Sequence, residues 1–138
     1  IIKGRMILDA GATVVAEGVT FYFPDTDSEI RVNGGFTFLA KAPESGAYKG
    51  ILMFEKTSNA ANNANKRQYI FNGSIDEQIE GVIYLPNRDV VYNSTTNVAA
   101  SKINMVVNTM IVNSANWKFS GYGEAAGGGG STAVRLVR

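Results

Sequence analysis

Three carboxylates alternate with hydroxyl side chains in one short segment, and this pattern is the clearest candidate for metal chemistry in the chain. Asp25, Asp27 and Glu29 are separated by Thr26 and Ser28. Carboxylate oxygens are hard ligands of the kind that Ca²⁺ prefers, so this segment predicts a calcium site. It is not an EF-hand loop, because it lacks the Gly and the Glu that such a loop requires at fixed positions. The competing interpretation is that the segment is a solvated corner between two strands and binds no metal. In that case we expect the chain to have no cofactor.

Other carboxylates and several arginines raise the question of catalysis on polysaccharides. A glycosidase requires two carboxyl groups about 5–10 Å apart in a cleft. A polysaccharide lyase requires clustered acidic calcium ligands and a basic residue. Neither arrangement of residues recurs on one face of neighbouring repeats of the sequence, which are described below. We therefore expect no enzyme activity. The residues considered are Asp76, Glu77, Glu80 and Asp89, with Arg31, Arg67 and Arg88 as cations.

The composition excludes several further classes of site. The chain has no His and no Cys, which removes disulfides, thiolate chemistry, His-based triads and His/Cys zinc sites. Its 13 basic and 12 acidic residues are interspersed and give a net charge of +1, so no nucleic-acid partner is expected. No apolar run approaches the roughly 18 residues that a membrane span needs. Because the chain opens directly on apolar residues, we expect it to be an excised or processed piece of a longer protein.

The elements that carry these residues are expected to be strands. Val (13) and Ile (11) far outnumber Leu (5), and this preference for β-branched residues favours strands over helices. Short apolar runs are separated by clusters of Gly, Asn, Pro and Ser, which predicts eleven or twelve short strands. Only residues 58–66 have helix-like spacing, and four Asn among them indicate an irregular loop.

The apolar runs recur with a long period. Gly18, Gly50 and Gly81 begin similar strands, at separations of 32 and 31 residues. A second recurring element is an apolar run that ends in Asn, a residue that tolerates corner backbone and can hydrogen-bond along a stacked ladder. A repeating strand–corner unit of a few tens of residues is typical of solenoids. The corner ladder is predicted to contain Asn33, Asn72, Asn93 and Asn113.

We therefore predict an all-β fold, a short right-handed parallel β-helix, with a β-sandwich as the alternative. The β-helix-like domain is expected over residues 1–120, a Gly-rich linker over 121–131 and a C-terminal strand or tail over 132–138. Trp117 is expected to cap the last coil or to pack under the C-terminal tail. The predicted core contains Phe21, Ile30, Val32, Phe38, Ile70, Ile83 and Val112. An exposed aromatic ladder is a further hypothesis, formed by Tyr48, Tyr69, Tyr84, Tyr92 and Tyr122.

Three stretches, taken in order, resemble one known family. The first is Glu17–Phe23, the most specific is Ala42–Glu55 (APESGAYKGILMFE), and the third is Ile79–Pro86 followed by Val90–Asn93. They resemble the exported C-terminal region of TadG-like proteins, in the bacterial Flp pilus-assembly TadE/G-like family. That family pattern has a Gly-Val strand, a Pro-x-Ser-Gly-x-Tyr-x-Gly-Ile turn and a Gly-x-Ile-Tyr-x-Pro strand. The resemblance runs from about residue 18 to about residue 117.

The resemblance implies a protein of the bacterial cell envelope, outside the cytoplasm in the periplasm or at the surface. Such proteins are held in the membrane by a segment that is absent from this chain. The implied role is Flp/Tad pilus assembly or adhesion, with protein partners of the envelope or the pilus machinery. The chain departs from relatives that carry Cys near the late coils. The family brings no catalytic residues.

Two other functions stay open at this stage. One is a carbohydrate-active β-helix protein that binds or cleaves polysaccharide, which a cleft with converging carboxylates would support. The other is a fragment of a trimeric fibre or tail spike. In the structural and interaction role, the exposed coil ends and the Asn-rich loop Asn59–Asn65 are the contact candidates.

Overall fold

The structure of the chain is a computed structural model that describes residues 1–56, 69–72, 76–93, 97–101, 103–113 and 116–120. This part is all-β and contains no helix. Eleven strands are described. They are β1 (Arg5–Asp9), β2 (Thr13–Glu17), β3 (Phe21–Phe23), β4 (Glu29–Asn33), β5 (Thr37–Lys41), β6 (Ile51–Glu55), β7 (Tyr69–Asn72), β8 (Asp76–Asn93), β9 (Asn97–Ser101), β10 (Ile103–Asn113) and β11 (Asn116–Ser120).

All ladders between the described strands are parallel, and each joins strands that are one repeat apart in sequence. β1 pairs with β4, β4 with β7, and β7 with the last residues of β8. In the same way β2 pairs with β5, and β5 with the start of β8. β3 pairs with β6, and β6 with the middle of β8. The result is one curled sheet of parallel strands. The antiparallel ladders that build a β-sandwich are not found in this part of the chain.

The later strands are longer than the sequence predicts. Val82–Leu85 and Val90–Tyr92 read as two short strands, but both belong to β8, which has 18 residues. Pro86 lies between them and does not end the strand, because its fixed φ is compatible with extended backbone. In the same way Ile103–Val107 and Met110–Val112 are joined in β10, with a register shift after residue 107.

The three recurrent glycines lie at corresponding corners of the repeat. Gly18, Gly50 and Gly81 have φ values of 67°, 77° and 131°. Positive φ is strained for residues with a Cβ, so glycine suits each of these corners. At Gly81 a close approach adds to this requirement, because an added Cβ would lie 2.6 Å from the Cβ of Ala42.

The core lies on the concave side of the sheet and agrees with most of the predicted residues. Ile30, Val32, Phe38 and Ile83 are buried, and Phe21 is partly buried against the core. The side chain of Ile70 lies outside the described residues. The prediction that Val112 belongs to the core is wrong, since its side chain is 44% exposed. It aligns with buried Tyr92, but no described strand pairs with the far edge of β10, so its side chain is left open to solvent.

Several other predictions fall outside the described residues and stay predictions. These are the Asn-rich loop, the Gly-rich linker, the C-terminal tail and the side chain of Trp117. The backbone of Trp117 belongs to β11 and aligns with Val98 of β9.

Candidate functional site

The four predicted corner asparagines occupy one row of the sheet. Asn33 aligns with Asn72, Asn72 with Asn93, and Asn93 with Asn113. Asp9 extends the row by one strand and accepts a hydrogen bond from the Asn33 amide at 3.4 Å. At the other end, the Asn113 amide donates to Asn93 Oδ1 at 2.8 Å. Both contacts are exposed, and their geometry is that of a polar ladder along stacked strands.

In the predicted calcium segment, residues 25–29, two of the three carboxylates bind other protein groups. Asp25 Oδ1 accepts hydrogen bonds from the Ser28 hydroxyl at 2.7 Å and from the Ser28 N–H at 2.9 Å. Glu29 is buried and forms an ion pair with Arg5 of the neighbouring strand. Asp27 is exposed. The three carboxylates therefore do not converge, and no group of acidic residues within the described ranges is placed to hold a metal ion.

Arg88, which the sequence analysis considered as a cation for polysaccharide chemistry, is the most buried charged residue in the described part of the chain. Its Nε lies 3.2 Å from Glu55 Oε1, and both side chains are fully buried. Its two Nη atoms donate to the carbonyl oxygens of Thr26 at 3.2 Å and Asp25 at 2.7 Å. Arg88 thus fixes the 25–28 turn from inside the molecule, which makes it a structural residue. No local pattern in the sequence around Arg88 indicates this burial.

Tyr69 packs against this buried ion pair. The Arg88 guanidinium carbon lies 5.0 Å from the centre of the Tyr69 ring, and Phe23 packs on the ring at 4.9 Å. The Tyr69 hydroxyl is buried without a hydrogen-bond partner in the described part of the chain. Burial raises the pKa of the Tyr69 phenol well above its ordinary value, although the nearby Arg88 cation opposes the shift. The ring is therefore neutral and serves as packing in the core.

The remaining candidates for polysaccharide chemistry are not brought together. Asp89 is exposed and accepts hydrogen bonds from Asn108 at 2.9 Å and Thr109 at 2.6 Å. Arg31 has a buried Nε on a different strand. Glu80 lies on β8 just before Gly81 and aligns with Lys41 of β5. The side chains of Asp76, Glu77 and Arg67 lie outside the described residues.

A partly exposed row of aromatic rings crosses three neighbouring strands on the outer face of the sheet. Tyr22, Phe54 and Tyr84 are aligned in register. The Tyr22 and Phe54 rings stack with centroids 5.7 Å apart, and the Phe54 and Tyr84 rings do so at the same spacing. Tyr48 lies beside the stack, 5.9 Å from Tyr22 and 5.7 Å from Phe54. We call these four residues the aromatic row.

The aromatic row differs in membership from the predicted tyrosine ladder. Tyr48 and Tyr84 are exposed, at 40% and 36%. Tyr69 and Tyr92 are buried, and Tyr122 lies outside the described residues. Phe54 joins the row because it aligns with both flanking tyrosines, a register that the sequence does not specify.

A row of charges lies at the corner that precedes the aromatic row. Glu17 aligns with Lys41, and Lys41 aligns with Glu80. Lys41 Nζ also lies 2.6 Å from Glu44 Oε1. The Glu44 carboxylate, and to a smaller extent those of Glu80 and Glu17, raise the pKa of the Lys41 ammonium. We call these four residues the charged row, and they border a shallow groove whose floor includes Val15.

The loop between these two rows holds both in place. Gly50 donates its N–H to Pro43 O at 2.8 Å and accepts the Val82 N–H at 2.8 Å. Ala42 donates to Glu80 O at 2.9 Å, so both ends of residues 42–50 are fixed to β8. Tyr48 projects from this loop onto the aromatic row. The corner therefore presents the aromatic row and the charged row side by side, joined by a loop that is hydrogen-bonded to β8.

The chain was compared with protein-family models, with curated proteins and with solved structures, and none of the three comparisons found a match. Within the residues that the structure describes, no helix is long and apolar enough to cross a membrane.

Proposed function

We propose that the chain is a non-enzymatic interaction module of a bacterial cell-envelope protein, and that the aromatic row is its contact surface. The observation that carries the proposal is the exposure of Tyr48 and Tyr84 within that ordered row. Exposed aromatic groups that are held rigidly are typical of binding surfaces, because they bury a large area at little cost in conformational entropy.

The distribution of charge supports a scaffold over a reaction centre. Glu55 and Arg88 neutralise each other in the interior, and Glu29 pairs with Arg5. Hydrolysis of a glycosidic bond needs two carboxyl groups that face one substrate. Asp25, Glu29 and Glu55 instead take part in a turn and in ion pairs, and the carboxylates of the charged row are arranged around the Lys41 ammonium.

We further propose that the parallel strands wind as a short right-handed β-helix. Three successive ladders repeat in the same order, β1 to β4, β2 to β5 and β3 to β6, as stacked coils with three sides would require. Connections between parallel strands are right-handed in the great majority of proteins, which supports the handedness. Stacked coils of this kind would make the aromatic row a continuous stripe along the coil axis.

The place of the module rests on the sequence motifs alone. The segments Glu17–Phe23 and Ala42–Glu55 resemble TadG-like proteins, and these same segments contain Tyr22, Tyr48 and Phe54. On this basis we place the chain outside the cytoplasm, in a protein that contributes to Flp/Tad pilus assembly or adhesion. Its partner at the aromatic row is then a protein of the envelope.

Site-specific photo-crosslinking in living bacterial cells tests this function. A photoreactive amino acid placed at position 48 or 84 of the full-length protein should crosslink to one discrete envelope protein. The same amino acid at Ile7, which is 44% exposed on β1, a strand that carries no residue of either row, should not give that product. Equal labelling at all three positions would contradict the assignment of the surface. Release of sugar from polysaccharide, lost in Glu80→Gln, would contradict the non-enzymatic role.

A further inference from the structure

We propose that the aromatic row and the charged row together bind a basic peptide segment of the partner. One Lys or Arg side chain of that segment lies against the tyrosine rings, and a second lies at the carboxylates of the corner. This inference rests on the proposed function and names the chemistry of the partner.

The aromatic row offers ring surface that a cation can use. Tyr48 is nearly equidistant from Tyr22 and Phe54, so it lies beside their stack and keeps an exposed side. Tyr84 is at the end of the stack, and the next residue in register is Val106. Valine is shorter than tyrosine, which leaves the outer part of the Tyr84 ring open. A guanidinium or ammonium group is attracted to the negative face of such a ring.

The charged row is complementary to a second cation. It contains three carboxylates, those of Glu17, Glu44 and Glu80, and one ammonium, that of Lys41, which gives a formal net charge of −2. Neighbouring charges of one sign raise the local concentration of ligands of the opposite sign and speed their association. The row is exposed, so the attraction should weaken as salt is added.

The spacing between the two rows defines the ligand further. Glu80 and Tyr84 lie four residues apart on β8, on either side of the corner at Gly81, and neither side chain is buried in the core. At about 3.3 Å per residue, their Cα atoms are at most about 13 Å apart, because the corner shortens the path between them. An extended peptide covers the same distance with four residues. A segment with basic residues at positions i and i+4 therefore matches both rows at once.

A neutral glycan is the main competing ligand, because sugars also stack on tyrosines. The charged row favours the basic peptide, since a neutral ligand gains nothing from a net charge of −2. Lys49, next to Tyr48 in the connecting loop, gives an independent criterion. It should oppose a cationic ligand, so that Lys49→Gln strengthens peptide binding, whereas it has no such effect on a neutral sugar.

Titration calorimetry of the purified chain with a synthetic peptide tests the proposal. The probe is the acetylated and amidated pentapeptide Arg-Gly-Ser-Gly-Arg, and its control replaces both arginines by citrulline, which has the same shape without the charge. We expect binding of the arginine peptide to weaken about 5-fold in Tyr84→Leu and about 5-fold in Glu80→Gln. Raising NaCl from low concentration to 0.5 M should weaken it further, and the citrulline peptide should not bind.

The outcomes separate this inference from the proposed function. Circular dichroism and thermal unfolding establish that each variant is folded, and Ile7→Ala serves as an exposed variant on β1, a strand that carries no residue of either row. Equal binding of the arginine and citrulline peptides, or binding of neutral oligosaccharides in place of the arginine peptide, overturns the basic-segment inference. If the peptide fails to bind while position 84 still crosslinks to one envelope protein, only the inference fails. If neither is observed, the proposed function fails as well.

Discussion

Arg88 and Glu55 form an ion pair that is completely removed from solvent, with Nε and Oε1 3.2 Å apart. The two residues are 33 positions apart in sequence, so the pair connects successive repeats through the interior. Glu55 Oε2 also accepts the Asn87 N–H at 3.3 Å. Each buried charge is tolerated because the other charge and the surrounding hydrogen bonds compensate for its lost hydration. The pair therefore specifies which turn packs against which strand.

Removal of one partner should be much more harmful than removal of both. We expect Arg88→Met to lower the free energy of unfolding by about 3–5 kcal/mol, because Glu55 would remain buried without a counter-charge. The double variant Arg88→Met with Glu55→Met should be more stable than Arg88→Met alone. Urea unfolding monitored by circular dichroism gives both values. Strictly additive losses would contradict the coupling, and Lys41→Met serves as the control for an exposed ion pair.

Gly81 should not tolerate a methyl group. In Gly81→Ala the new Cβ would lie 2.6 Å from the Ala42 Cβ, at a φ of 131° that alanine rarely adopts. We expect a loss of about 1–3 kcal/mol in unfolding free energy. Gly4→Ala is the matched control, because an added Cβ there meets no atom within 4 Å. Similar melting temperatures for the two variants would show that the corner is not constrained as described.

The asparagine ladder should contribute to stability although it is exposed. Asn93→Ala removes the acceptor of the 2.8 Å hydrogen bond from Asn113, and we expect it to cost about 1 kcal/mol. Asn72→Ala, at the centre of the same row, should cost a similar amount. The exposed Asn104 on β10 provides the comparison, since its replacement by Ala should change little. An unchanged melting temperature in both ladder variants would remove the ladder as a source of stability.

Tyr69 should make the stability of the fold fall at alkaline pH. Burial raises the pKa of Tyr69 above the ordinary value of 10.0. The folded state then keeps the phenolic proton at a pH where the unfolded chain releases it. This contribution is complete below about pH 10 and decreases as the pH rises further. Urea unfolding between pH 8 and pH 11 should show a steeper decline for the native chain than for Tyr69→Phe.

The comparison of the two stability curves isolates Tyr69, because every other ionisable group is the same in both proteins. At neutral pH, Tyr69→Phe should be as stable as the native chain or slightly more stable, since it removes a buried hydroxyl that has no hydrogen-bond partner among the described residues. Parallel curves across the whole pH range would contradict the assigned burial.

The local chemistry of the corners could be inferred from the sequence because it depends on single residue types. Gly18, Gly50 and Gly81 were identified by their spacing, and all three have positive φ in the structure. The Asn residues that end apolar runs fall into one row because each repeat places its Asn at the same position of the stacked strands. The burial of Ile30 and Ile83 follows from alternation along a strand, which is also a local property.

Composition and spacing establish that the chain is rich in β-strands, that its corners recur with a regular period, and that it lacks the His and Cys on which many reaction centres depend. The burial of Arg88, the exposure of Val112 and the alignment of Phe54 with Tyr22 and Tyr84 follow from the three-dimensional fold alone. These properties depend on which strand stacks on which. In the parallel ladders the partner residue is 19 to 39 positions away in sequence, beyond the reach of any local pattern.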